Sequence, residues 1–127
     1  VEVDVTKQAS PDGDAGIICR YVDTSNFYFL RITTDGYYAI SKLVDGTETT
    51  LGAGEYTLTD AVNTGVGEVN HVRADCVGST LTLYVNGEKL EQVTDSTFDS
   101  GDVGLLGGSF ETGGVDLLFD NFIVYQP

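Results

Sequence analysis

Twenty acidic side chains, six Lys and Arg, one His and two Cys set the chemistry open to this chain of 127 residues. Calcium needs several carboxylate and carbonyl oxygens gathered on loops. The candidates for that are Asp12 and Asp14 in SPDGDAG and the pair Asp99 and Asp102 in FDSGDVG. Ca²⁺ is therefore a candidate cofactor, though neither loop has EF-hand spacing and no other cofactor is indicated. A glycan needs an exposed aromatic platform beside planar hydrogen-bonding groups. Tyr37 and Tyr38, just after a hairpin turn, with Arg20 and Arg31 on neighbouring strands, are the residues of that kind. Core packing accounts equally well for at least one tyrosine, and ion pairing with the many carboxylates for the arginines. Nucleophilic catalysis has little to work with, because there is one His and no Gly-x-Ser-x-Gly elbow. His71 reads as capping a strand face with Arg73 and Asp75.

Cys19 and Cys76 each fall on the more apolar side of a strand in an acidic chain, where a structural disulfide is expected. Such a bridge would contribute about 4 kcal/mol in the chain-entropy model. The alternative is a pair of buried free thiols.

The formal net charge of −14 repels phosphate backbones and anionic lipid surfaces, and no basic patch interrupts it. Nucleic acid is excluded as a partner on that ground. No apolar run approaches the length of a membrane span, so direct membrane insertion is not expected. The chain begins at Val1 without an initiator Met or a signal peptide, which reads as a processed piece of a longer product, placed outside the cell or on its surface. At this length one domain, residues 1–127, is expected.

The elements that must position these residues are strands. Asn86-Gly87 is the dipeptide preferred by a two-residue type I′ turn. Counting outward from it sets Leu83 opposite Leu90 and Thr82 opposite Glu91, with Leu81, Leu83, Val85 and Leu90 on one face. Upstream, Val72, Ala74 and Cys76 share a side of a further strand. Val1 to Lys7 alternates as a half-buried strand, and Gly16 to Val22 is apolar on both faces, as a central strand is. Asn26 to Thr33, Tyr37 to Val44 and Thr47 to Leu51 form a three-strand meander through Asp35-Gly36 and Asp45-Gly46. A short strand near Tyr56 to Leu58, a strand from Val103 to Gly107, a hinge at Gly113-Gly114 and a last strand from Val115 to Tyr125 complete the reading. No window shows the helical apolar period, so the expected fold is an all-β antiparallel sandwich.

The strings GIICRY, NFYFLRITTDGYYAISKLVDG, NHVRADCVGSTLTLYVNGEKL, FDSGDVGLLGG and VDLLFDNFIVYQP resemble a bacterial group of extracellular modules with the concanavalin A-like, laminin G-like jelly-roll fold. The resemblance runs from Val1 to Tyr125 and implies a non-catalytic module that binds carbohydrate or protein, or serves adhesion. Glycosidases on this fold carry E-x-D-x-x-E on a strand. Glu2-Val3-Asp4-Val5-Thr6-Lys7 misses the third carboxylate, which is Lys7, so an enzyme is not expected. Partners would be a glycan, an extracellular protein or copies of the chain itself.

Modules of this kind usually carry two or three more strands ahead of the segment equivalent to Val1 to Lys7. Their lack here implies an uncovered sheet edge. A second expectation follows: a structural, self-assembling subunit, of filament or surface-layer type, in which Val1 to Val5 pairs across a chain boundary.

Overall fold

A computed structural model describes residues 1–9, 12–109 and 116–125. Ser10, Pro11, the Gly113-Gly114 hinge and Val115 lie outside the described residues. Among the described residues there are eleven strands: β1 (Glu2–Ala9), β2 (Gly13–Asp23), β3 (Asn26–Thr33), β4 (Tyr37–Val44), β5 (Thr47–Thr50), β6 (Thr57–Leu58), β7 (Val69–Val77), β8 (Thr80–Val85), β9 (Glu88–Thr94), β10 (Asp102–Ser109) and β11 (Asp116–Ile123). They form two antiparallel sheets. Sheet A has the order β11-β1-β7-β8-β9, and sheet B the order β10-β2-β3-β4-β5, with β6 also paired to β4.

Period-two alternation decides which side chains lie between the sheets. Sheet A sends in Val3 and Val5 from β1, Val72 and Ala74 from β7, and Leu81, Leu83 and Val85 from β8. Sheet B answers with Ala15, Ile17 and Cys19 from β2, Tyr28, Leu30 and Ile32 from β3, and Ile40 from β4. Nearly all of these are below 2% exposed. At about 25 cal/mol per Å² of apolar surface, this face-to-face burial is the main force holding the sheets together.

Asn86 and Gly87 both take positive φ, 53° and 84°, as the type I′ turn demands. The register beyond the turn differs from the simple count. Val85 pairs with Glu88 and Tyr84 with Lys89, but Leu83 pairs with Glu91 and Thr82 with Gln92. A bulge between Leu83 and Tyr84 absorbs one residue, so Leu90 only half enters the core.

The expected free edge at Val1 to Val5 is not there. β1 sits inside sheet A, pairing with β7 on one side, where Val3 meets Val72, and with β11 on the other, where Val5 meets Phe119. β1 is flanked on both sides by strands of its own chain, β7 and the last strand, β11. Val1 to Val5 is thus spent on intrachain pairing and cannot complete a neighbouring copy.

Candidate functional site

Cys19 and Cys76 form the expected disulfide, with Cα atoms 6.6 Å apart. It links β2 of sheet B to β7 of sheet A, so the covalent tie crosses the sandwich from one sheet to the other.

The four residues proposed as a glycan platform do not come together. Tyr38 turns inward, packs against the core and donates its hydroxyl to the Leu90 carbonyl at 3.3 Å. Arg20 lies near the disulfide, where Nη1 donates to Phe98 O at 3.0 Å and Nη2 to Cys76 O at 3.2 Å. It holds φ of 54° in β2, an uncommon conformation for a residue other than glycine. Tyr37 and Arg31 remain on one face, the outer side of sheet B, since Arg31 pairs with Ala39, two residues from Tyr37.

That outer face is unusually covered for a sheet surface. Phe29 is 4% exposed and Arg31 6%. The guanidinium of Arg31 lies between two rings, 4.8 Å from the Phe29 centroid and 4.9 Å from that of Tyr56. Its Nη1 bonds Asp14 Oδ2 at 3.1 Å, and its Nη2 bonds Ser41 Oγ at 3.2 Å and Glu48 Oε1 at 2.8 Å. Arg31 Nε is buried without a partner, under the rings. Burial pushes the Tyr56 hydroxyl pKa up, with the nearby Arg31 charge working against it. Sequence reasoning found Arg31 but missed Tyr56 and Glu48. The contact between Arg31 and Tyr56 is made by the loop between β5 and β6, which carries no periodic signal.

Beside this stack runs a groove of about 180 Å³, with Phe27 and Phe29 as aromatic lining, Leu43 and Leu106 as walls, and Arg31 and Glu48 as polar groups. Its size suits one sugar ring more than the 300–1,000 Å³ (roughly) of drug-sized sites. A larger cleft of about 620 Å³ opens at the disulfide end and includes Arg20, Arg73, Asp75 and Tyr125. Its polar groups are committed to the protein itself: Arg20 to backbone carbonyls, and Arg73 to Asp75 by two bonds of 2.9 and 2.7 Å. The smaller groove, with an exposed carboxylate beside aromatic rings, is the better equipped for a polar ligand.

The acidic pair Asp12 and Asp14 is likewise engaged. Asp12 accepts from Lys7 Nζ and Thr34 Oγ1, both at 2.7 Å, and Asp14 is held by Arg31. Asp99 and Asp102 are exposed. Among the described residues no group of three or more His, Cys, Asp or Glu gathers in a way that holds a metal.

His71 shares the solvent side of β7 with Arg73 and Asp75, as expected, but its bonding partners lie on β1. Because β1 and β7 pair with Asp4 opposite His71, the ring lies between Asp4 Oδ1, 2.7 Å from Nδ1, and Glu2 Oε1, 2.8 Å from Nε2. Hydrogen bonds to Glu2 first and Asp4 second raise the His71 pKa. The two carboxylates of the E-x-D stretch are therefore tied to an imidazole on the outside of sheet A.

No protein-family model matches the sequence, and no curated protein matches it. Solved structures do match in shape. A carbohydrate-binding module, CBM66, from Bacillus subtilis superposes with TM-score 0.74 at 18% identity, over 94% of this chain and 70% of that one. Sheep galectin-11, solved with glycerol, gives 0.59 at 13% identity, over 92% of this chain and 86% of that one. The GH43 protein BlXynB of Bacillus licheniformis gives 0.62 at 16% identity over 93% of this chain, which spans 25% of that one. With its two packed antiparallel sheets and these likenesses, the chain is a jelly-roll β-sandwich of the concanavalin A-like fold.

Proposed function

We propose that this chain is a non-catalytic carbohydrate-binding module that takes a sugar in the groove on the outer face of sheet B. The observation that carries the reading is the Arg31 clamp. One buried guanidinium, fixed between Phe29 and Tyr56, holds the half-exposed Glu48 carboxylate beside the groove. Sugars are recognised by packing their C–H faces on aromatic rings and by hydrogen bonds from their hydroxyls to planar acceptors. The half-buried Phe27 ring, stacked on Tyr21, and the Glu48 carboxylate, held by Arg31, supply both groups in the groove and are positioned before any ligand arrives, which lowers the ordering cost of binding. The fold shared with a bacterial carbohydrate-binding module and a galectin supports the same reading.

A place outside the cell is supported by the disulfide, since such bridges persist in oxidising compartments. Among the described residues no helix is long and apolar enough to cross a membrane. A glycan array probed with the folded domain tests the function. Binding that is lost in Tyr56→Ala, with the fold intact by circular dichroism, supports it. An array with no signal above background counts against it.

One observation favours the second reading, a structural subunit that binds copies of itself. β11 is an edge of sheet A, and its Leu118, Phe122 and Ile123 are 46%, 42% and 42% exposed. Self-association through this edge predicts a mass that rises with concentration in light scattering. A constant monomer mass excludes it.

A further inference from the structure

We infer that the outer-face site accepts glycans without acidic groups and rejects acidic ones, and that Glu48 sets this selectivity; the inference rests on the carbohydrate-binding reading above. The two charged partners in the groove are unequally available. The Arg31 side chain is 7% exposed, covered by rings on two sides and bonded to Asp14, Ser41 and Glu48. The Glu48 side chain is 46% exposed. What a ligand meets is therefore the carboxylate and not the guanidinium.

An ionised carboxylate only accepts hydrogen bonds, so its partner must donate. A sugar hydroxyl does so. A uronate, sulfate or phosphate group offers acceptors alone and sets a second negative charge against the first. No spare cation offsets this. Arg31 carries one positive charge against the two negative charges of Asp14 and Glu48. Lys42, which also lines the groove, has its ammonium 2.9 Å from Asp95 Oδ2 and 2.9 Å from Thr97 Oγ1. The field of the whole chain, at −14, points the same way.

The test is an array of matched pairs, in which each neutral oligosaccharide is printed beside the same molecule with its terminal hydroxymethyl group oxidised to a carboxylate. Wild type should bind the neutral member about tenfold or more tightly than its acidic twin. Glu48→Gln keeps the side-chain shape while removing the charge, and should bring the two members to within about threefold of each other. An acidic member bound as tightly as its neutral twin by wild type overturns the inference while leaving the glycan reading standing. A ratio unchanged in folded Glu48→Gln overturns the assignment to Glu48. Silence from every pair removes the glycan reading and this inference together.

Discussion

The Glu48 carboxylate is bonded to Arg31 at 2.8 Å, yet nearly half of the Glu48 side chain stays in solvent while the Arg31 side chain is 7% exposed. The asymmetry makes Arg31 a brace and Glu48 the group that faces outward. A guanidinium suits the bracing role because its planar fork reaches several acceptors at once and its faces stack on rings.

Arg31→Lys tests the brace. Lys keeps the charge but loses the fork and the flat faces, so both Glu48 and Tyr56 lose their anchor. Arg31→Met leaves Asp14 without its cation and should cost about 3 kcal/mol, the low end for breaking a buried pair, because Glu48 is partly solvated. Urea unfolding should show the Met variant destabilised and the Lys variant milder. Equal stability of both variants with wild type would contradict the role given to Arg31.

Gly16→Ala tests the packing beneath the site. An added Cβ would meet Leu30 O at 2.1 Å and Arg31 Cα at 2.6 Å, both backbone atoms that cannot swing away. The loss should be about 3 kcal/mol, with β2 pushed off β3 at Arg31. A variant as stable as wild type in urea would show that the strands are farther apart than described.

The Cys19–Cys76 bridge encloses a separation of 57 residues, so its reduction should lower stability by about 4 kcal/mol. Unfolding midpoints with and without a phosphine reductant measure this directly. Coincident midpoints would mean that the bridge contributes nothing.

Most of the fold was legible because alternation and turn residues state it locally. Asn86-Gly87 and the strands Asn26–Thr33 and Tyr37–Val44 fell where the pattern placed them. The bulge at Leu83 and Tyr84 escaped, since a bulge changes pairing without changing the pattern of either strand. The position of β1 escaped for a related reason: alternation shows that Val3 and Val5 are buried but not which strands flank them. At the site, Arg31 was visible as a charge on an apolar strand. Its partners Glu48, Tyr56 and Asp14 lie on three other segments, and only the folded sheet brings them together.

The Glu2–His71–Asp4 cluster should make stability depend on pH. The raised His71 pKa, due to the bonds to Glu2 and then Asp4, means that its contribution is complete below about pH 6.5 and is lost as pH rises through the folded value. Glu2 is lowered mainly by its bond to His71, and Asp4 by bonds to Asn121 and then His71; their contributions fade instead as pH falls toward about 4. Urea midpoints should therefore decline from pH 6 to pH 9 in wild type by a modest amount, about 1 kcal/mol at most for such exposed groups, and His71→Gln should flatten the decline. A decline of the same size in that variant would assign it elsewhere.

Asp12 and Asp14 already hold Lys7 and Arg31, so calcium has to displace a cation of the protein to bind there. Melting temperatures in EDTA and in millimolar calcium should coincide. A calcium-dependent rise would return these loops to the list of ligand sites.

The central claim is that the outer face of sheet B is where sugar binds. Titrating the ¹⁵N-labelled domain with the neutral oligosaccharide that binds best, and following its amide resonances, tests this most directly. The account predicts shifts that cluster at Phe27, Ser41, Leu43, Glu48, Tyr56 and Leu106, with the amides of Arg20, Arg73 and Val103 at the disulfide end unmoved. Shifts confined to that far cleft, with the Glu48 and Tyr56 amides unchanged at saturation, would contradict it.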